Sequence, residues 1–343
     1  MKVEILKETK SVRHVGIDIV KCMAILSVVG VHFFLNTKFY TTNLNNVNLL
    51  LQTIIQQLFL VCIPLFLMST GYLNNSIDIS KKHFKKLIPV ILLYVLYSIP
   101  AILYRTYINE IEFDIPLWIG LLFKFKGHRY SWYIDLYIGL FLLMPFLNRM
   151  YFSLNTKKEK QILILVLMIL TSFVSLINGK FTKEFYMPTY WSAIYPLTYF
   201  FIGKYIRDFQ PKMKNSLNIL CLVLVLILQG GVEYFVAEGE TYKHFFTDYT
   251  SALRVLEGYL IFILLYKFDI KNEFVRKCVI SISSLTLDIY LASFITDRIV
   301  YKELLKNYDI AQENFLYLMM ILVLSSFTLA YITAYTRKKI IKI

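Results

Sequence analysis

Three ionisable residues stand in the first apolar stretch, "GIDIVKCMAILSVVGVHF" (residues 16–33): an acid, Asp18, a cation, Lys21, and a base, His32. A charge at mid-bilayer costs about 2.5–3.5 kcal/mol even on insertion scales, so such groups normally face protein or a water-filled cavity. An α-helix turns about 100° and rises about 1.5 Å per residue. The eleven residues from Lys21 to His32 therefore bring the two within about 20° around the axis and roughly 16 Å along it. Asp18 and Lys21 are an i,i+3 pair on the same side. One stripe thus carries an imidazole, whose intrinsic pKa suits proton transfer near neutrality, and an ammonium that can hold a phosphate. The spacing alone is also compatible with anchoring, with Asp18 and Lys21 paired at the inner headgroups and His32 at the outer interface.

The elements that hold this stripe read as membrane spans. The chain has 343 residues, 57% of them hydrophobic, a mean hydropathy of +0.56 and 17% charged residues. Soluble domains carry roughly a quarter charged. Ten apolar segments are expected to span, near 15–36, 47–74, 85–105, 130–150, 160–178, 189–207, 216–235, 250–268, 281–301 and 313–337. Six alternate flanks carry four Lys or Arg each, and the five opposite flanks carry twelve together. The positive-inside bias puts both termini in the cytoplasm, so the net charge of +14 is a topology signal and not a nucleic-acid footprint. The expectation is an all-α membrane protein forming a single domain over residues 1–343, with no appended soluble domain and no internal repeat. The first segment lacks a cleavage site and should remain as the first span.

Outside the first span, chemistry is sparser. Cys22, Cys62, Cys221 and Cys278 show neither a disulfide framework nor zinc spacing, and no metal is implied. The longest outer connection, residues 106–129, contains an apolar run, Ile115–Phe123, too short to span and expected to be re-entrant or interfacial. Residues 236–250 form a second polar rim. Beside the long connection lie His128, Arg129, Trp132 and Tyr133. Aromatic faces can stack on sugars and arginine can bind a carboxylate or phosphate, although an interfacial aromatic belt uses the same residues. Ser69 is a hydroxyl for hydrogen bonding or acylation, or a small residue in tight packing. Lys86 sits at the inner end of the third span, as a phosphate ligand or an anchor. Arg254 with Glu257, and Asp297 with Arg298, read as pairs at span ends, and His14, His83 and His244 lie in flanks.

Taken in order, these segments resemble the acyltransferase 3 family of bacterial membrane acyltransferases. The family opens with an Asp, a basic residue three later, usually Arg, and a His eleven beyond, matched here by Asp18, Lys21 and His32. "PLFLMSTGYL" resembles its phenylalanine-rich segment closing on Ser-Gly-Tyr, with Thr70 inserted between Ser69 and Gly71. Lys86 and Pro89 match a basic residue and proline three apart. "SWYIDLYIGLFLLMPFLN" resembles its Trp-Tyr segment, and "YPLTYFFIGKYI" a Phe-x-x-Gly span. "ISISSLTLDIYLASF" resembles a segment ending Ile-Tyr-Leu-x-His, with Ser293 in the histidine position.

The resemblance implies transfer of an acyl group, commonly acetyl, from acetyl-CoA to a hydroxyl of a surface polysaccharide or its lipid-linked precursor, in the bacterial plasma membrane. It makes His32 the catalytic base, oriented with Lys21 by Asp18. Lys21, Lys86 and Ser69 would bind the donor, and His128, Arg129, Trp132 and Tyr133 the acceptor. No cofactor is bound tightly; membrane lipid and polysaccharide assembly proteins are the other implied partners. Many members carry an extracytoplasmic esterase-like domain. None is expected here, so transfer would finish within the membrane domain or on a separate partner. The rival reading is a transporter or flippase of a small anion or glycolipid, with the polar stripe as its path.

Overall fold

The first apolar stretch forms a helix around which the others gather. The computed structural model describes residues 13–174, 188–245, 248–303 and 310–343, which are helical with no strand among them. In chain order these are α1 (Val15–Asn36), α2 (Val47–Phe59), α3 (Cys62–Leu73), α4 (Lys81–Lys85) and α5 (Ile88–Tyr107). Then come α6 (Ile115–Phe123), α7 (Trp132–Ser153), α8 (Lys157–Met168), α9 (Tyr195–Phe209) and α10 (Asn215–Val236). The last four are α11 (Ala252–Leu265), α12 (Glu273–Ser284), α13 (Thr286–Asp297) and α14 (Phe315–Ile340). α1 touches α2, α3, α11, α12, α13 and α14. Among them Asp18 and His32 are buried and Lys21 is half-buried, as the cost of exposing the stripe to lipid requires.

Among the described residues, six helical segments have the length and apolarity to cross a membrane: Val15–Asn36, Val47–Leu73, Lys81–Tyr107, Trp132–Ser153, Asn215–Val236 and Gln312–Ile340. A seventh counts if α12 and Thr286–Lys302, bent by 74° at their junction, cross together. The ten expected segments all carry helix, but α9 and α11 have 15 and 14 residues, short of the ~20 that a ~30 Å core asks for, while α8 runs on as a π-helical turn through Ile169–Phe173. The expected segment 160–178 ends outside the described residues. The short apolar run in the long connection is α6, with the Asp114 side chain accepting from Leu117 N (3.2 Å) as its N-cap. α6 buries none of its residues, so it is a surface helix and not one enclosed by protein.

Two contacts position the wall that later matters. α3 and α9 cross backbone to backbone: a Cβ at Gly71 would lie 1.9 Å from the Phe200 carbonyl oxygen, and one at Gly203 2.0 Å from that of Met68. Only glycine permits this approach, the small-residue packing by which membrane helices associate. Lys204 then closes the end of α3, its Nζ donating to Asn74 O (3.0 Å) and Asn75 Oδ1 (2.9 Å). Together they fix Ser69 and Thr70 opposite α1.

The second contact is the break at Leu285, which aims α13 along α1. Thr286, Tyr290, Ser293 and Asp297 recur at +4, +7 and +11, one stripe of a 3.6-residue helix. Lys21, Val28 and His32 recur on α1 at +7 and +11. Two polar stripes therefore face each other across the α1–α13 contact.

Candidate active site

Where the two stripes meet, His32 Nδ1 lies 2.8 Å from Asp297 Oδ2, with His32 6% exposed and Asp297 0%. Ser326 on α14 donates its hydroxyl to Asp297 Oδ1 at 2.5 Å. A carboxylate accepts and cannot donate, so this pairing places the imidazole proton on Nδ1 and leaves the Nε2 lone pair as the base. Ser293 Oγ stands 3.3 Å from the same Nδ1 and donates its own proton to Tyr290 O (2.8 Å). The position where the family segment has histidine thus still touches His32, but as an oxygen.

The imidazole plane is fixed as well. Tyr130 stacks on it with ring centroids 3.6 Å apart and planes 22° apart. Asn36 Nδ2 donates to both Tyr130 Oη and His32 O, each at 2.8 Å. His128 braces Tyr130 from the other side: its Nε2 donates to Leu291 O (2.6 Å), and its Nδ1 accepts from Tyr130 N (3.2 Å). Both ring nitrogens of His128 are thereby used within the protein.

Two cavities adjoin this group. The one toward the N-terminal end of α1, called inner for its place along that helix and the other outer by contrast, is about 340 Å³ and is lined by Lys21, Val28, Ser69, Thr70, Tyr133 and Tyr290, with Ile63, Phe66 and Leu287 among its apolar walls. The Ser69 hydroxyl is buried and has no hydrogen-bond partner among the described residues, an arrangement that awaits one from a ligand. The Tyr290 hydroxyl is likewise buried and has no hydrogen-bond partner among the described residues. The outer cavity, about 380 Å³, is lined by Arg105, Lys124, Phe125, Lys126, His128, Arg129, Trp132 and Asp135. His32 reaches the inner cavity through Tyr290, whose ring centroid is 6.5 Å away, and the outer one through Tyr130 and His128.

The sequence matches a family model described as an acyltransferase domain over residues 14–335. The chain belongs to the acyltransferase 3 family. It is a membrane acyltransferase, and the sequence resemblance stands on nearly the whole chain. No curated protein and no solved structure matches it.

Within this acyltransferase the residues singled out from sequence are spread over the dyad, the two cavities and two positions apart from them. His32 sits at the dyad. Asp18 does not reach it: Arg13 Nε and Nη2 hold its two oxygens at 2.8 and 3.0 Å, and Ser283 Oγ donates at 2.5 Å. Lys21 and Ser69 share the inner cavity, whereas Lys86 is exposed beyond the end of α4 and lies off its wall. The aromatic and basic cluster divides. Arg129, Trp132 and the braced His128 line the outer cavity, and Tyr133 turns to the inner one.

Asp297 corrects the pairing read from sequence. It bonds His32, and Arg298 instead meets Glu110, Nη2 to Oε2, at 3.1 Å. Adjacent residues on a helix point about 100° apart, so neighbours in sequence do not face each other. The stripe spacing along α13 was the signal that could have found Asp297. Arg254 and Glu257 do pair, but fully buried, with Arg254 also donating to Gln57 O (2.6 Å) and Gln57 Oε1 (2.5 Å). That network ties α11 to α2 and lies off both cavity walls.

Proposed function

We propose that this acyltransferase carries an acyl group, acetyl in the first instance, from cytosolic acetyl-CoA to a hydroxyl of a surface polysaccharide or its lipid-linked precursor. The site is the bacterial plasma membrane, crossed in ten spans with both termini in the cytoplasm. The observation that carries the reading is a buried His–Asp dyad linked through Tyr290 to one cavity and through Tyr130 and His128 to another, the first holding the Lys21 ammonium and two hydroxyls without a partner among the described residues, the second cations and an indole.

The donor enters from the inner side, its phosphates held by cations of that face and its thioester reaching toward His32. Lys21 Nζ supports a phosphate of the donor, since the carbonyl attacked at His32 lies too far along α1 for it to reach. The acceptor hydroxyl gives its proton to His32 Nε2 as its oxygen attacks the thioester carbon, and Asp297 stabilises the imidazolium that results. The oxyanion receives hydrogen bonds from the Ser69 and Tyr290 hydroxyls, a preorganised arrangement in a dry site. Collapse breaks the C–S bond, and the departing thiolate takes the proton back from Nε2. The acyl ester and free CoA are then released on opposite sides.

Proton nuclear magnetic resonance of surface glycan from cells with and without the gene tests this directly. O-acetyl signals should disappear with the gene and return with the wild-type chain. Unchanged acetylation together with altered export of glycolipid would remove the enzyme reading and favour a transporter. Orientation is checked separately: reporters fused after residue 80, 157, 212 or 271 should register cytoplasm, and those near 43, 112 or 240 the outside. An outside signal at 212 would break the ten-span reading.

A further inference from the structure

The outer cavity carries more positive charge than acyl transfer to a neutral sugar explains. Arg105, Lys124, Lys126 and Arg129 line it, and Asp135 is the one acid on that wall. Behind them Glu110 gathers three guanidiniums: Arg105 Nε at 2.7 Å and Arg129 Nε at 2.9 Å on Oε1, and Arg298 Nη2 at 3.1 Å on Oε2. One carboxylate cannot neutralise three cations, so the cluster keeps two net positive charges. Burial alone would raise the Glu110 carboxyl, but the three arginines outweigh it and hold it below the usual carboxylate range.

The cluster is also built and not merely gathered. Arg105 is 9% exposed, and its Nη1 donates to Lys126 O (2.8 Å) and Gly127 O (3.2 Å). That fixes the turn carrying Lys124 and Lys126, which form no ion pair among the described residues. Basic flanks on the cytoplasmic side are accounted for by topology, but cations on the opposite side have no such cause. Trp132, 44% exposed, presents a flat apolar face beside them.

We infer that the outer cavity seats an anionic acceptor: a glycan bearing a carboxylate or phosphate near the acylated hydroxyl, its charge on Arg105, Lys124, Lys126 and Arg129 and a ring on Trp132. The inference rests on the acyl-transfer reading above and adds the charge of the acceptor to it. Arginine forks match either oxyanion bidentately, and the lysines add point charges on mobile stems. The seat joins the dyad through His128 and Tyr130, so the bound charge fixes which hydroxyl faces His32.

The test uses the full chain in nanodiscs of phosphatidylcholine. Three disaccharides with the same rings serve as probes: one ending in a uronate, its neutral form with that carboxylate reduced to an alcohol, and one bearing a phosphate ester. Titration calorimetry reads binding, and mass spectrometry reads acetyl transfer from acetyl-CoA. An anionic probe should bind about tenfold or more tighter than the neutral one, the scale of one charge-assisted hydrogen bond. The advantage should shrink in high salt and in the exposed double variant Lys124→Gln/Lys126→Gln, and the better anionic probe tells carboxylate from phosphate. Equal binding and equal transfer to the neutral disaccharide would overturn the seat while leaving acyl transfer standing. Anion-selective binding without any transfer would keep the seat and defeat the transfer reading. If phosphatidylglycerol in the nanodisc abolishes the preference, the cavity holds a lipid headgroup and the acceptor assignment is wrong.

Discussion

Alanine at His32 should lower acyl transfer by about 10²–10⁴-fold, the usual contribution of a positioned base. The same variant leaves Asp297 buried with Ser326 as its remaining donor. A buried carboxylate that loses its partner destabilises a fold by several kcal/mol, so abundance alone is an ambiguous readout. His32→Asn separates the effects. Its Nδ2 occupies roughly the place of Nδ1 and still donates to Asp297, yet nothing replaces Nε2. It should insert as well as wild type and remain as inactive as alanine. Transfer retained in the asparagine variant would remove the base assignment.

Asp297→Asn then weighs charge against geometry. The asparagine carbonyl can accept from Nδ1, and the Ser326 hydroxyl can turn to accept from the new amide, so the imidazole tautomer survives. The negative charge facing the imidazolium does not. Turnover at saturating substrates should fall at least about tenfold, with the KM for the donor unchanged, because charge next to a transient cation acts in the transition state and not on binding. A change confined to donor KM would show that Asp297 shapes the inner cavity and does not serve His32.

The dyad shows which parts of this site were legible before the fold. Lys21 and His32 sit eleven apart, close to three whole helical turns, and that period survives whatever packs around it. The ordered motifs carried the family because each falls at a fixed place along the apolar segments. Asp297 was hidden by its neighbour. An Asp beside an Arg suggests a local pair, whereas the α13 stripe points the acid at α1 and Arg298 at Glu110. Asp18 misled in the opposite way. Its i,i+3 spacing to Lys21 is right for a pair, but Arg13, preceding the helix, brings a two-pronged fork that a single ammonium cannot match. The outer cavity was read in part: His128, Arg129 and Trp132 stand close together in sequence, whereas Arg105, Lys124 and Lys126 join them only once the α5–α7 connection folds back. Length was a weak guide to spans for a related reason: α9 and α11 are shorter than the bilayer and are held by neighbours, Gly203 on Met68 in one case and Arg254 on Gln57 in the other.

Lys21 should act on the donor and not on the acceptor. It lies on the inner cavity with Ser69, roughly 16 Å below His32 on the same helix face, at the end that the proposed orientation opens to the cytosol. Arg13 and Ser283 already satisfy Asp18, so Lys21 is not needed as its counter-ion, and its ammonium forms no ion pair among the described residues. Lys21→Ala should therefore lower kcat/KM for acetyl-CoA by about 10–100-fold, equivalent to the ~1.5–3 kcal/mol of a hydrogen bond to a charged group. Lys21→Arg should keep or improve it, since the family's usual arginine offers a bidentate fork to a phosphate where lysine offers a point charge. Acetyl transfer in membranes across titrations of donor and acceptor separates the possibilities. An effect on acceptor dependence alone would place the ammonium on the wrong substrate. No effect on either would make Lys21 an anchor at the membrane surface. That outcome would leave the inner cavity to Ser69 and Tyr290, whose hydroxyls, without a partner among the described residues, can bind a thioester carbonyl but not neutralise a phosphate.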